Sequence, residues 1–460
     1  MLRQWQVECS EKAIQKFREN QQHFFCQATP GAGKTVLAAT VASRLLNNDM
    51  VDLVLCFSPS LTISDGIKKT FSQILNCTFN GGLGSIGQSL TYQSIQFLND
   101  DFWKALRNHR VFVVFDEIHH CSGSEFENAN VWGQQVLANI QGLATYTLAM
   151  SGTPWRSDSL PIVMSEYSDP EGKLLVDYQY TLRQAIVDKV CRVPKLVLVD
   201  SEHLSVSNDE KVESFSSILE MLKQTKTSYQ SVIHNQEAME YLLGLGCKKL
   251  AEIRTQSPNA GGLVVASSVQ HAQAIQKILV QKYGQTVSLV TYRHKEPLTK
   301  IERYRQSNVQ WIVSIGMISE GTDIPRLQVC CHMSSVKTEL YFRQVLGRIL
   351  RVNGVENQQA WLFTFAEENL IDFSERIEQD IPESCLYVNT EQSVESDLFS
   401  QSNSSNVTAP SLLSRNGVST EVSWGEQTNQ VNHGGRELGA PYELKFGAFR
   451  QRVIWAFVSS

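Results

Sequence analysis

The stretch VFVVFDEIHHCSG, residues 111 to 123, follows five apolar residues with Asp116, Glu117, His119, His120 and Cys121. Carboxylate, imidazole and thiolate are all zinc ligands, so a metal cage is the first chemistry to weigh. Spacing opposes it. Adjacent side chains on a strand or helix diverge, so Asp116 with Glu117, or His119 with His120, cannot readily converge on one ion. No zinc is expected.

A second chemical signal lies upstream. ATPGAGKT, Ala28 to Thr35, stands between the apolar run HFFCQA and a helical stretch from Lys34 to about Leu46. A Gly-rich turn there lets the backbone of Pro30, Gly31, Ala32, Gly33 and Val36 close around phosphates. Lys34 would then reach the β and γ phosphates, and the Thr35 hydroxyl would take Mg²⁺. Ala28 stands where the general pattern has its first Gly. Such a loop needs a carboxylate at the end of a neighbouring parallel strand, and VFVVFDE supplies one. Asp116 is expected to hold Mg²⁺ and Glu117 to activate the attacking water.

The elements that must position these groups follow from alternation. Apolar runs alternate with amphipathic helical stretches through the first 155 residues and again from about 260 to 366, as in parallel sheets covered by helices on both faces. The fold class is therefore α/β, with a first domain over 1–157, a connector over 158–200 that ends in the strand KLVLVD, and a second domain over 257–388. A small helical insertion is expected over 207–256, where apolar residues recur at three and four residue intervals. Residues 390–437, rich in Ser, Asn, Gln and Thr, read as a disordered linker. The apolar segment 438–460 is expected to dock on a domain or begin one.

Composition sets few limits. An apolar content of 42% with 19% charged residues is that of an ordinary soluble protein, and the net charge of -6 excludes only a wholly basic nucleic-acid coat. The ten cysteines form no C-x-x-C pair and read as reduced thiols. With no long apolar run and no basic-then-apolar start, a cytoplasmic location without membrane contact is expected.

ATPGAGKT, DEIH, SGTP, SEGTDIP and QVLGRILR occur in that order. Together they resemble motifs I, II, III, V and VI of the superfamily 2 helicases and translocases. Within that superfamily the chain is similar to the DEAH-like branch that includes the motor subunits of type I and type III restriction enzymes. The resemblance covers residues 1 to about 370. It implies two tandem RecA-like domains, ATP and Mg²⁺ as cofactors, and nucleic acid as partner, DNA being favoured over RNA. An RNA helicase and an ATP-gated subunit of a multiprotein complex, with partner proteins of its own, are the alternatives.

Residue by residue, LRQWQ resembles the adenine-reading element, with Gln6 bonding the base. His119, Ser151, Gly152 and Thr153 resemble the residues that couple hydrolysis to domain movement, with His119 reaching Gln344 or the motif III turn. His120 and Cys121 are expected to be structural. Ser58, Pro59, Thr91, Tyr92 and Gln93 match first-domain contacts to the nucleic-acid backbone, and Ser267, Ser268 and Thr291, with His294 and Lys295, match second-domain ones. Gly321 and Asp323 match the motif that links the nucleotide ribose to the strand. In ELYFRQVLGRILR, Gln344, Arg348 and Arg351 fall four and three apart, as on one helical face, and the two arginines are expected to act as fingers on the γ-phosphate.

Overall fold

In this computed structural model the described residues are 2–122, 129–140, 142–153, 161–168, 174–207, 212–291, 296–316, 323–354, 358–378 and 443–455. Gly321, His294, Lys295 and the expected linker 390–437 lie outside them.

The first sheet uses β1 (His23–Ala28), β2 (Leu53–Ser58), β3 (Gly87–Thr91), β4 (Val111–Asp116) and β5 (Ala144–Ser151). The chain then passes through the two-residue strands β6 (Glu166–Tyr167) and β7 (Leu174–Leu175) and returns to the sheet as β8 (Tyr178–Tyr180). The order is β3-β2-β4-β5-β1-β8, every pairing parallel. All six residues of β4 are buried, which is why VFVVFD carries no polar alternation: helices cover both faces.

The second sheet begins with β9 (Val193–Ser201). After β10 (Leu204–Ser207) and β11 (Val212–Phe215), it continues with β12 (Gly261–Ala266), β13 (Val287–Val290), β14 (Trp311–Ser314), β15 (Leu327–Met333) and β16 (Gln359–Phe365). The last described residues supply β17 (Glu443–Phe446) and β18 (Phe449–Trp455). The order is β13-β14-β12-β15-β16-β9-β18, with β18 alone antiparallel. Strands β11, β10 and β17 form a separate small sheet.

Two expectations differ from this architecture. The segment 158–200 ends in the expected strand KLVLVD, which is β9 and internal to the second sheet, but it is not otherwise only a connector, because β8 completes the first sheet. The segment 207–256 is not an all-helical insertion: β11 lies within it, ahead of helices Ile218–Gln224, Tyr229–His234 and Gln236–Gln256. The longest of these packs on the second sheet, where Gly246 leaves no room for a Cβ, which would stand 2.6 Å from Cys331 Sγ. Its apolar stripe of Leu242, Leu243, Leu250 and Ile253 belongs to the core. The C-terminal segment docks as edge strand β18, and Arg450 ties it to Asp200 at 2.6 Å.

Candidate ATP site and nucleic-acid face

The phosphate loop turns on two left-handed glycines, Gly31 at φ 85° and Gly33 at φ 95°, and the helix Lys34–Asn47 starts directly after them. A side chain would strain either position. Thr35 and Val36 occupy the first turn of that helix. Two side chains of the N-terminal helix brace the loop: Arg3 Nη1 donates to Ala32 O at 2.6 Å and Gln6 Nε2 donates to Gly33 O at 3.0 Å. Gln6 is 3% exposed and its Oε1 accepts the Arg3 backbone N–H. Its amide thus uses both ends inside the protein, where base recognition had been expected. Arg3, not among the expected site residues, stands three residues before Gln6 in the same LRQWQ motif.

Lys34, 9% exposed, extends from this loop to Glu117 Oε1 at 3.0 Å. Glu117 follows the last residue of β4 in a left-handed conformation, φ 51° and ψ 53°, rare for a non-glycine residue. Its other oxygen, Oε2, lies 3.4 Å from both Ser151 Oγ and the Gly152 N–H. His119, 1% exposed, sets its Nδ1 2.8 Å from Ser151 Oγ. Thr153 donates its N–H to the same hydroxyl at 3.1 Å. Motif II and the motif III turn therefore meet around one carboxylate and one hydroxyl. Gly152 has to be a glycine, since a Cβ would stand 2.9 Å from Pro30 Cδ and 3.0 Å from Lys34 Nζ.

Asp116 is buried, and its Oδ1 has no hydrogen-bond partner among the described residues. Burial first, then the charge of Glu117, push its carboxyl up to about 7. A buried carboxylate oxygen without a partner is costly, and a bound cation removes the cost. The site thus fits Mg²⁺.

The second lobe reaches this site through the helix Glu339–Ile349. Gly347 permits the approach, because a Cβ there would meet Pro30 Cβ at 2.6 Å. A pocket between the lobes is lined by Thr29, Pro30 and Thr153 on one side and by Arg343, Leu346 and Gly347 on the other. Gln344 and Arg348 sit half-buried on this helix. Arg351 does not share their helical face. The helix stops at Ile349, and Arg351 forms a β-bridge with Cys191 that peels the chain away. Its guanidinium pairs with Asp323, and its Cγ would stand 3.4 Å from a Cβ on Gly31. Asp323 thus bonds an arginine beside the phosphate loop. The motifs themselves gave no hint of Arg192, buried behind this region, which donates to the carbonyls of Pro325, Leu327 and Ile349 and to Asn353 Oδ1.

The residues matched to nucleic-acid contact are placed differently. Ser58 is fully buried, its hydroxyl donating to Ser60 O at 3.3 Å. Thr91 caps the following 3-10 helix, Tyr92–Phe97, by accepting the Ser94 N–H, and Tyr92 is fully buried. Among these first-lobe residues Pro59 is half-buried and Gln93 exposed. In the second lobe Thr291 is 1% exposed, Ser268 caps the helix Val269–Gln281, and Ser267 Oγ lies 2.7 Å from His234 Nε2 and 2.9 Å from His271 Nδ1. Neither hydroxyl is open to a strand: Ser58 is buried whole, and Thr91 is 8% exposed with its hydroxyl spent on the turn. The cause is local: a strand that ends in a turn uses its terminal hydroxyls to satisfy the turn.

No helix among the described residues is long and apolar enough to cross a membrane, and no group of three or more His, Cys, Asp or Glu among them could hold a metal ion.

Comparison with known proteins agrees with this geometry. Residues 1–156 match the family model "Type III restriction enzyme, res subunit", and residues 246–353 match "Helicase conserved C-terminal domain". An uncharacterised protein of Mycobacterium leprae is 29% identical over 82% of this chain, which spans 64% of that protein's length. A protein of Sulfurisphaera tokodaii named DNA 3'-5' translocase XPB2 is 22% identical over 75% of this chain and 77% of its own. Among solved structures, a fragment of a putative HsdR subunit of a type I restriction enzyme from Vibrio vulnificus shares the fold with a TM-score of 0.56 at 16% identity, covering 83% of this chain and 67% of that one. The DNA-bound type ISP restriction-modification enzyme LlaBIII gives 0.53 at 14% identity, over 80% of this chain and 28% of that one. The two family models, one on each lobe, support a superfamily 2 helicase of the restriction-enzyme-like type, and the solved structures share its fold.

Proposed function

We propose that the protein hydrolyses ATP between its two lobes and uses the resulting motion to move along, or separate, strands of DNA. The observation that carries this reading is the Lys34–Glu117 pair, 3.0 Å apart, with Arg351 of the other lobe packed against the same loop. Stranding one member of a half-buried ion pair is costly, so Lys34 exchanges Glu117 only for another anion, and the γ-phosphate of ATP is one of the right charge and place. Glu117, once released, is free to orient and deprotonate water, while Gly152 and Ser151 register its departure. Asp116 and Thr35 would hold Mg²⁺, which when bound neutralises phosphate charge. Arg348 and Arg351 add positive charge from the second lobe, a contribution worth about 10³ to 10⁵ in rate where such fingers are known. ATP draws the lobes together only insofar as these contacts exist in the closed state alone.

DNA is the preferred strand because the Sulfurisphaera tokodaii relative is named a DNA translocase. The test is ATP turnover alone and with single-stranded DNA, duplex DNA or RNA, for the unmodified protein, Lys34→Ala and Glu117→Gln. DNA should stimulate most, and both variants should lose turnover by at least about 10². Variants that keep pace with the unmodified protein, or turnover indifferent to nucleic acid, would defeat the proposal.

A further inference from the structure

Tyr92 was expected at the nucleic-acid face, yet its side chain is 0% exposed and turned toward the ATP site. Its hydroxyl donates to the carbonyl oxygen of Asp116 at 2.9 Å. That carbonyl belongs to the peptide joining Asp116 to Glu117, the residue held at positive φ. Tyr92 also opens the 3-10 helix Tyr92–Phe97, whose Gln93, Gln96 and Phe97 are exposed. One residue therefore has its backbone in the outward turn and its hydroxyl on the peptide that orients the catalytic carboxylate.

The rings around it make the link stiff. Tyr92 stacks on Phe57 at 6.5 Å and on Trp132 at 5.6 Å, and Trp132 lies 6.0 Å from the ring of His120. His120 in turn lies 4.5 Å from His119, which reaches Ser151. A buried phenylalanine would fill the same space, whereas the hydroxyl adds a polar group that must be satisfied, and it is satisfied on this one carbonyl. Coupling between sites needs an element with two arrangements that both sites bias. Glu117 is that element, paired with Lys34 here and released from it in the active state.

We propose that Tyr92 is a positioning residue that carries occupancy of the outward 3-10 turn to the Asp116–Glu117 peptide, so that a bound strand favours release of Glu117 from Lys34. The inference rests on the translocase reading above. The test compares Tyr92→Phe with the unmodified protein, using mixed-sequence single-stranded and duplex oligodeoxynucleotides, with ATP turnover and fluorescence anisotropy as readouts. The ratio of DNA-stimulated to basal kcat should drop about three- to tenfold, the worth of one hydrogen bond. The oligonucleotide Kd and the KM for ATP should hold. Trp132→Leu, which removes a ring face but keeps the hydroxyl bond, should lower the same ratio less. A weaker Kd with full stimulation at saturating DNA would make Tyr92 a binding residue and overturn the proposal. Equal falls in basal and stimulated kcat would make it merely structural, and an unchanged ratio would make the hydroxyl idle. Absence of stimulation in the unmodified protein itself would instead overturn the translocase reading, before any variant is compared.

Discussion

The candidate ATP cleft and the proposed nucleic-acid face use the same kind of strand end in opposite ways. At the ends of β4 and β5 the polar side chains converge: Glu117, His119, Ser151 and Lys34 bond one another across motifs. At the ends of β2 and β3 the hydroxyls of Ser58 and Thr91 turn inward and satisfy their own turns. The difference follows from the ligand. Hydrolysis needs particular groups at particular atoms, whereas holding a sugar-phosphate chain without reading its sequence needs only donors in a row. Substitutions at the first set should therefore change turnover, and those at the second should change stability.

A large effect that sharpens this contrast is expected at Gly347, where the lobes touch. Gly347→Val places branched carbons where a Cβ already overlaps Pro30. Turnover should fall about 10²-fold because the second-lobe arginines are held away from the cleft. DNA affinity measured without nucleotide should be nearly unchanged. A variant with normal turnover would show that this contact is incidental.

Next comes the histidine pair. His119→Ala removes the imidazole beside Ser151 and should cut DNA-stimulated turnover about tenfold, with ATP binding retained. His120→Ala, whose ring packs toward Trp132, should change it by less than about threefold. Equal losses would merge two residues that the geometry separates. The smallest effect is expected at Ser58. Losing its buried hydroxyl should cost about 1 kcal/mol in denaturant unfolding while leaving DNA affinity within about twofold. A large loss of affinity without loss of stability would break the comparison.

The cleft was the more legible region because its elements announce themselves locally. A strand buried on both faces reads as an unbroken apolar run, and a phosphate loop reads as glycines before a helix; both the VFVVFD strand and ATPGAGKT have that form. What stayed hidden depends on partners distant in sequence. Nothing near Gln6 says that its amide meets Gly33, 27 residues on. The same buried strands carry no alternation from which to read that Ser58 and Tyr92 point inward. The apolar stripe of Gln236–Gln256 announced a packed helix but not the sheet that receives it. Arg450 finds Asp200 across a sequence separation of 250 residues, so the C-terminal strand could be read only as apolar. Arg351 fell on the Arg348 face by helical spacing, and the Cys191 bridge that ends the helix first lies in another segment altogether.

In the proposed function, one ATP site is built from both lobes and answers to DNA. Its most direct test is steady-state ATP turnover at saturating single-stranded DNA for the unmodified protein and Arg351→Ala, with ATP affinity measured alongside. The variant should bind ATP and DNA yet lose at least about 10³ in DNA-stimulated turnover. Turnover at the unmodified rate would contradict it, because the first lobe would then be hydrolysing ATP without help from the second.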